Sequence, residues 1–112
     1  QDAFWIAGAS GQGVAVEIPL KVGDRIKNLT MYGRSTAAFG WELRLWRVAS
    51  NPYSTTQVGG TQTSPAGAGP SSVSLAALTE TIVAGTRFYA TWTSLATLQE
   101  LFLLEVTYDR IA

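Results

Sequence analysis

The stretch that most constrains the fold runs from residue 17 to residue 48, where two runs of alternating apolar and polar residues are joined by short turns. The runs are residues 25–35 and residues 41–48. The apolar members that share a face are Leu29, Met31, Gly33, Trp41, Leu43 and Leu45. A period of two residues is typical of a half-buried β-strand. The stretch therefore predicts two strands at the centre of an antiparallel β-sandwich.

Two local features refine the first of these strands. Ile26 is out of phase with Leu29 and Met31, so burial of all three predicts a β-bulge near Lys27. The dipeptide at residues 23–24 is Gly-Asp, in which Gly permits positive φ and Asp can bond nearby backbone groups. It predicts the turn that leads into the strand.

Six more segments have strand-like composition or alternation. They are residues 3–7, 13–20, 56–63, 72–78, 86–93 and 101–108. In the last of them the expected core residues are Phe102, Leu104, Val106 and Tyr108. Ala77 is expected to share a face with Val73 and Leu75, and residues 94–100 have room for one helical turn. We expect one all-β domain over residues 1–112, an antiparallel, jelly-roll-like β-sandwich of about eight strands.

Charge argues against two classes of partner. Eight Lys and Arg balance eight Asp and Glu, which leaves no basic surface for nucleic acid or for an anionic membrane. No apolar run approaches the roughly 20 residues that span a bilayer, so membrane insertion is not expected. Because only 14% of the residues are charged, the surface is either uncharged and polar or covered by another subunit.

Catalytic and metal-binding patterns are sparse. The chain has no Cys and no His, which excludes the common nucleophile-and-base sites of acyl transfer. Glu17, Glu42 and Glu105 are outward strand positions that a glycosidase could pair. The favoured interpretation is a solvated sheet face with Arg44 or Lys27 as cross-strand partners. No calcium loop or phosphate loop occurs, so we expect no cofactor, no metal and no enzyme activity.

Aromatic residues on the polar strand faces are the informative class. Tyr32, Trp46 and Tyr89 alternate with core positions, and Tyr53 is expected in a loop. Outward aromatics on a sheet suggest either a stacking platform for sugar rings or a subunit contact. The candidate contact residues are Tyr32, Arg34, Arg44, Trp46, Tyr53 and Tyr89. Those between residues 17 and 48 are expected to form one surface.

Four phrases carry a resemblance that spans most of the chain: IPLKVGDRIKNLTMYGR, LRLWRV, GTRFYATWT and LEVTYDR. Together they resemble small β-sandwich modules of phage virion proteins and of bacterial surface or secreted proteins. The resemblance implies a jelly-roll-like fold, a structural or adhesive role and a virion or extracellular location. It transfers no functional residue.

Three functions remain open. The leading one is a virion component, such as a tail, fibre or capsid-decoration domain, that assembles as a homo-oligomer or with other virion proteins. The second is a carbohydrate-binding module in which Trp46, Tyr32 or Tyr53 stacks on a glycan. An enzyme that uses carboxylates alone ranks last.

Overall fold

The computed structural model describes residues 5–6, 13–36, 39–50, 52–67, 69–96 and 99–110. Within these ranges the chain forms nine β-strands and no helix, which confirms the predicted all-β class. The strands are β1 (Trp5–Ile6), β2 (Gly13–Glu17), β3 (Arg25–Ser35), β4 (Trp41–Ser50), β5 (Tyr53–Thr63), β6 (Gly69–Leu75), β7 (Glu80–Thr81), β8 (Thr86–Ser94) and β9 (Glu100–Asp109). The parts of the predicted strand 3–7 outside β1 lie beyond the described residues.

The strands form two antiparallel sheets. The first sheet has the order β1-β9-β3-β6, with β7 also paired to β3, and the second has the order β2-β8-β4-β5. When the two-residue β7 is set aside, the pairs nest as in a long folded hairpin: β1 with β9, β2 with β8, β3 with β6 and β4 with β5. The consecutive strands β3 and β4 consequently belong to different sheets.

The hydrophobic core draws on the inward faces of both sheets. Its fully or nearly fully buried members are Ile18, Ile26, Leu29, Met31, Trp41, Leu43, Leu45, Leu75, Ile82, Phe88, Ala90, Trp92 and Leu101. The rings of Trp41 and Trp92 lie with centroids 6.4 Å apart. Trp41 reaches the first sheet at Gly33, where a Cβ would come within 3.1 Å of the indole and collide with the Glu100 carbonyl oxygen. Glycine at this position therefore lets the two sheets approach.

The refinements predicted for β3 are confirmed. Ile26, Leu29 and Met31 are all fully buried, and the register between β3 and β9 shifts between Ile26 and Asn28. In the preceding turn, Gly23 has a φ of 98°, and the Asp24 carboxylate accepts a hydrogen bond from the Lys21 N–H at 2.9 Å. The turn and the bulge together bring Ile26 into the core.

The predicted core face of β9 is partly wrong. A second register shift places Leu103 opposite Tyr32 but Leu101 opposite Gly33, so that Phe102 is an extra residue. Leu101 is 1% exposed and takes the core position expected for Phe102. Phe102 is only half-buried, and Tyr108 is 39% exposed, whereas Leu104 and Val106 pack against the core as expected. The bulge shifts by one residue the positions at which the side chains of β9 point into the core.

The structure corrects three further expectations, all of them in the second half of the chain. Tyr53 is not in a loop but begins β5, which is longer than the predicted 56–63. β6 ends at Leu75, so Ala77 is exposed, with a φ of 57°, rather than facing inward with Val73 and Leu75. Residues 94–96 and 99–100 are not helical, and residues 97–98 of that predicted turn lie outside the described residues.

A buried glutamine ties together the loops at one end of the sandwich. Gln99 is fully buried, and its amide nitrogen donates to the carbonyl oxygens of Phe39 and Gly40 at 2.9 and 2.8 Å. Its amide oxygen accepts from the Leu95 N–H at 2.8 Å. These bonds satisfy backbone groups that no strand pairing reaches.

Candidate functional site

The six candidate residues lie on two outer faces of the sandwich and not on one surface. Tyr32 and Arg34 belong to β3 of the first sheet, while Arg44 and Trp46 belong to β4 of the second. The expectation that these four residues form a single contact surface is wrong, because the connection between β3 and β4 carries the chain from one sheet to the other. Tyr53 and Tyr89 join the second-sheet group.

Three of the candidate aromatics meet on the outer face of the second sheet. Trp46 of β4 is paired with Tyr89 of β8 on one side and with Gln57 of β5 on the other. A shallow hollow of about 300 Å³ lies here, which we call the second-sheet groove. Its lining residues are Trp46, Val48, Tyr53, Thr55, Tyr89 and Thr91. Strand pairing thus brings together residues that are far apart in the sequence.

Hydrogen bonds orient the aromatic rings of the second-sheet groove. The Trp46 indole N–H donates to the Thr91 hydroxyl at 3.0 Å, which fixes the ring across β4 and β8. The Tyr89 hydroxyl donates to Glu17 at 3.3 Å. Tyr53 is 77% exposed, and its hydroxyl accepts from Thr55 at 3.2 Å. The groove therefore presents oriented rings beside threonine hydroxyls.

Arg44 lies in an adjoining hollow of about 490 Å³ that shares Trp46 and Thr91 with the second-sheet groove. Its guanidinium donates to Glu42, two residues along the same strand, at 3.0 Å. The pair holds the arginine at the surface without a net charge. Trp46 therefore lies between the second-sheet groove and the hollow that Arg44 lines.

The outward carboxylates have cationic or phenolic partners. Glu17 pairs with Arg87 at 3.3 Å and Glu42 with Arg44 at 3.0 Å, while Glu105 accepts from the Tyr32 hydroxyl at 2.6 Å. Lys27, expected to pair with a glutamate, lies 3.8 Å from Asp109. Glu105 belongs to the first sheet, on the opposite side of the sandwich from Glu17 and Glu42. Among the described residues, no three acidic side chains gather as a metal site would require.

The outer face of the first sheet has its own hollow, of about 350 Å³, which we call the first-sheet groove. Its lining residues are Tyr32, Pro70, Ser71, Ser72, Phe102 and Leu103. Leu103 is 52% exposed. Arg34 covers the Phe102 ring at 5.7 Å from its centroid and is held by Glu100 at 2.9 Å. The hydrogen bond to Glu105 raises the pKa of Tyr32 above the ordinary value of a phenol.

Sequence reasoning missed Phe102 and Leu103 as surface residues. Both lie in the run Leu101-Phe102-Leu103-Leu104, where four apolar residues follow one another. A strand buried on one face cannot turn four successive side chains inward. The run itself was the signal that part of β9 faces outward.

Comparison of the chain with protein-family models, curated proteins and solved structures finds no match. None of the described residues belongs to a helix long and apolar enough to cross a membrane. The two grooves and the strands that build them are therefore the basis for assigning a function.

Proposed function

We propose that the protein is a non-enzymatic structural module of a phage virion that assembles as a homo-oligomer, with a virion or extracellular location. The observation that carries the proposal is the first-sheet groove. Leu103 leaves half of its surface in water, and Phe102 and Pro70 lie beside it on the same outer face. Exposed apolar side chains gathered around an aromatic ring are typical of a subunit contact.

Composition and strand order support the same proposal. Only 14% of the residues are charged, and depletion of charge is a feature of buried interface cores. The nested pairing of seven longer strands and the two-residue β1 fits a jelly roll, an architecture used by viral capsid and lectin domains. We infer a jelly roll from this order, which agrees with the resemblance to virion modules.

The native mass tests the proposal. We expect the wild-type chain to be oligomeric in sedimentation velocity, and Leu103→Asp to weaken the assembly, because a carboxylate in the groove must be desolvated on association. Val83→Asp is the matched control, since Val83 is 50% exposed against 52% for Leu103 and does not line the groove. A wild-type chain that stays monomeric over a wide concentration range contradicts the proposal.

A second candidate function, carbohydrate binding, is favoured by the second-sheet groove. Trp46, Tyr53 and Tyr89 offer aromatic surface, and the hydroxyls of Thr55 and Thr91 lie among them. Sugar rings stack their apolar faces on aromatic side chains and exchange hydrogen bonds through their hydroxyls. The oriented Trp46 indole supplies a fixed platform of this kind.

Glycan titration tests this candidate. We expect a neutral oligosaccharide from a broad panel to shift the tryptophan fluorescence, and Tyr53→Ala to weaken binding by about tenfold, a loss of about 1.4 kcal/mol. Tyr53 is 77% exposed, so its removal leaves the fold intact. Tyr32→Ala, on the other sheet, is the control. Equal loss in both variants, or no response to any glycan, argues against the second-sheet groove as a sugar site.

A further inference from the structure

The free edge of β5 differs from the other sheet edges among the described strands. β2 is five residues long and carries Glu17, and β6 contains Pro70, which has no N–H to donate. Among the described residues, β9 pairs with β1 at Glu100 and Leu101, and the rest of β9 carries Glu105 and Asp109. Short length, charge and proline protect edges from pairing with other chains. β5 has eleven residues with no charge and no proline.

The regular part of this edge is residues 53–58. Six consecutive residues from Tyr53 to Val58 pair with β4, and then the register shifts at Gly59, which has a φ of 72°. The shift occurs where β5 meets the first sheet, since a Cβ on Gly59 would lie 3.7 Å from Leu75. The residues before it, 53–56, are exposed. A straight edge of about 20 Å is therefore open to another strand.

The backbone of this edge has no partner on its outer side within the part of the chain that the structure describes. Among the described residues, β5 pairs with β4 alone, and no other backbone hydrogen bond reaches residues 53–63. In an antiparallel ladder, alternate residues direct their N–H and C=O groups away from the neighbouring strand. Side chains of Ser, Thr and Gln dominate residues 54–57, and threonine in particular favours extended structure. A further strand satisfies the whole row at once, in place of the water that reaches this exposed edge.

We propose that residues 53–58 of two copies of this chain pair antiparallel, so that the second sheets of both copies form one continuous sheet. The proposal rests on the proposed self-assembly and specifies an interface separate from the first-sheet groove. A second copy suits the edge because a symmetric pair sets the strand against itself, and a charged residue at the two-fold axis would lie opposite the same charge. The absence of charge from β5 removes that repulsion.

Symmetry restricts the register of this pairing. A continuous antiparallel sheet needs a two-fold axis perpendicular to it, and opposed residues must point to the same face. If residue i of one copy lies opposite residue j of the other, the sum of i and j must then be even. The residue at the axis consequently lies opposite the same residue of the second copy. Centring the axis within residues 53–58 places either Thr55 against Thr55 or Thr56 against Thr56. Both are uncharged and β-branched, which suits a central cross-strand pair.

A charge-swap experiment tests the edge. One variant carries Thr55→Lys with Thr56→Lys, and the other carries Thr55→Glu with Thr56→Glu, so either register opposes like charges. We expect each variant alone to dissociate at least about tenfold more readily than the wild type in sedimentation equilibrium. An equimolar mixture of the two is expected to regain the dimer, which also shows that both variants are folded.

The matched control uses the same strand beyond the bulge. Thr61→Lys with Gln62→Lys adds the same charge to β5 outside residues 53–58 and is expected to leave the dimer unchanged. Dissociation by this control, or a mixture that stays monomeric, overturns the edge pairing. A different result would contradict the first-sheet groove as an interface. In that case Leu103→Asp leaves the native mass unchanged, while the charged variants of residues 55 and 56 still dissociate. A monomeric wild-type chain overturns both.

Discussion

Replacing each of two neighbouring residues of β9 by alanine tests the register shift that decides which side chain enters the core. Leu101 is 1% exposed and lies opposite Gly33, which has no side chain to fill a cavity. Leu101→Ala removes three buried carbons, worth about 2.4 kcal/mol at about 0.8 kcal/mol each. The unfilled cavity adds to this, so we expect a loss of about 3 to 4 kcal/mol.

Phe102→Ala removes a larger side chain but is expected to cost less. Phe102 is half-buried, and its ring contacts the Arg34 guanidinium, a surface cation–π pair worth about 0.5 to 1 kcal/mol. With the partial loss of apolar burial, the total is about 1 to 2 kcal/mol. The order of the two costs is the reverse of what side-chain size and simple alternation predict.

Urea unfolding measures both costs. With a slope of about 1.5 kcal/mol per molar urea, the midpoint falls by about 2 M for Leu101→Ala and about 1 M for Phe102→Ala. The comparison is made at a protein concentration where the chain is monomeric, because Phe102 also lines the proposed interface. Equal midpoints, or a larger fall for Phe102→Ala, would refute the register shift in β9.

Three further predictions concern other parts of the fold. Gly33→Ala is expected to lower stability by about 2 kcal/mol, because its Cβ collides with a carbonyl oxygen of β9, and thermal unfolding measures the loss. The Lys21 N–H holds the pKa of Asp24 below its usual range, so the stability from its ionised form persists above about pH 3.9 and is lost as the pH falls. Asp24→Asn is expected to flatten this acid limb in urea midpoints taken across pH. Gln99→Leu removes the side-chain partner of the Gly40 carbonyl and of the Leu95 N–H, whereas the Phe39 carbonyl keeps its hydrogen bond from the Thr36 N–H. The substitution is expected to cost about 2 to 3 kcal/mol in urea unfolding.

Each of these predictions has an outcome that contradicts it. Wild-type stability in Gly33→Ala would show that neither the β9 carbonyl nor the Trp41 indole requires a residue without a side chain here. If stability falls as steeply with decreasing pH in Asp24→Asn as in the wild type, other carboxylates cause the loss of stability in acid. If Gln99→Leu is as stable as the wild type, the loops at that end do not depend on the buried amide. Val22→Ala, at a 64% exposed position, is the control, and each of the three variants is expected to change stability more than this substitution does.

The candidate site could be predicted only one strand at a time. Alternation correctly places Tyr32 and Trp46 on the outward faces of their strands, because the period of an extended chain fixes which neighbours share a side. Alternation does not show that β3 and β4 lie in different sheets. The prediction therefore grouped residues that lie on opposite sides of the sandwich. The grouping of Trp46 with Tyr53 and Tyr89 depends on pairing between distant strands.

By itself, the sequence determined the all-β class, most strand positions and the bulge near Lys27, since these follow from local periodicity and turn chemistry. Tertiary structure alone decided which strands are neighbours, how far β5 extends and where β9 changes register. Those choices depend on contacts between residues far apart in the chain, as when Gly33 accepts Trp41 from the other sheet and Leu101 displaces Phe102 from the core. The grooves and the free edge of β5 are products of that second set of choices.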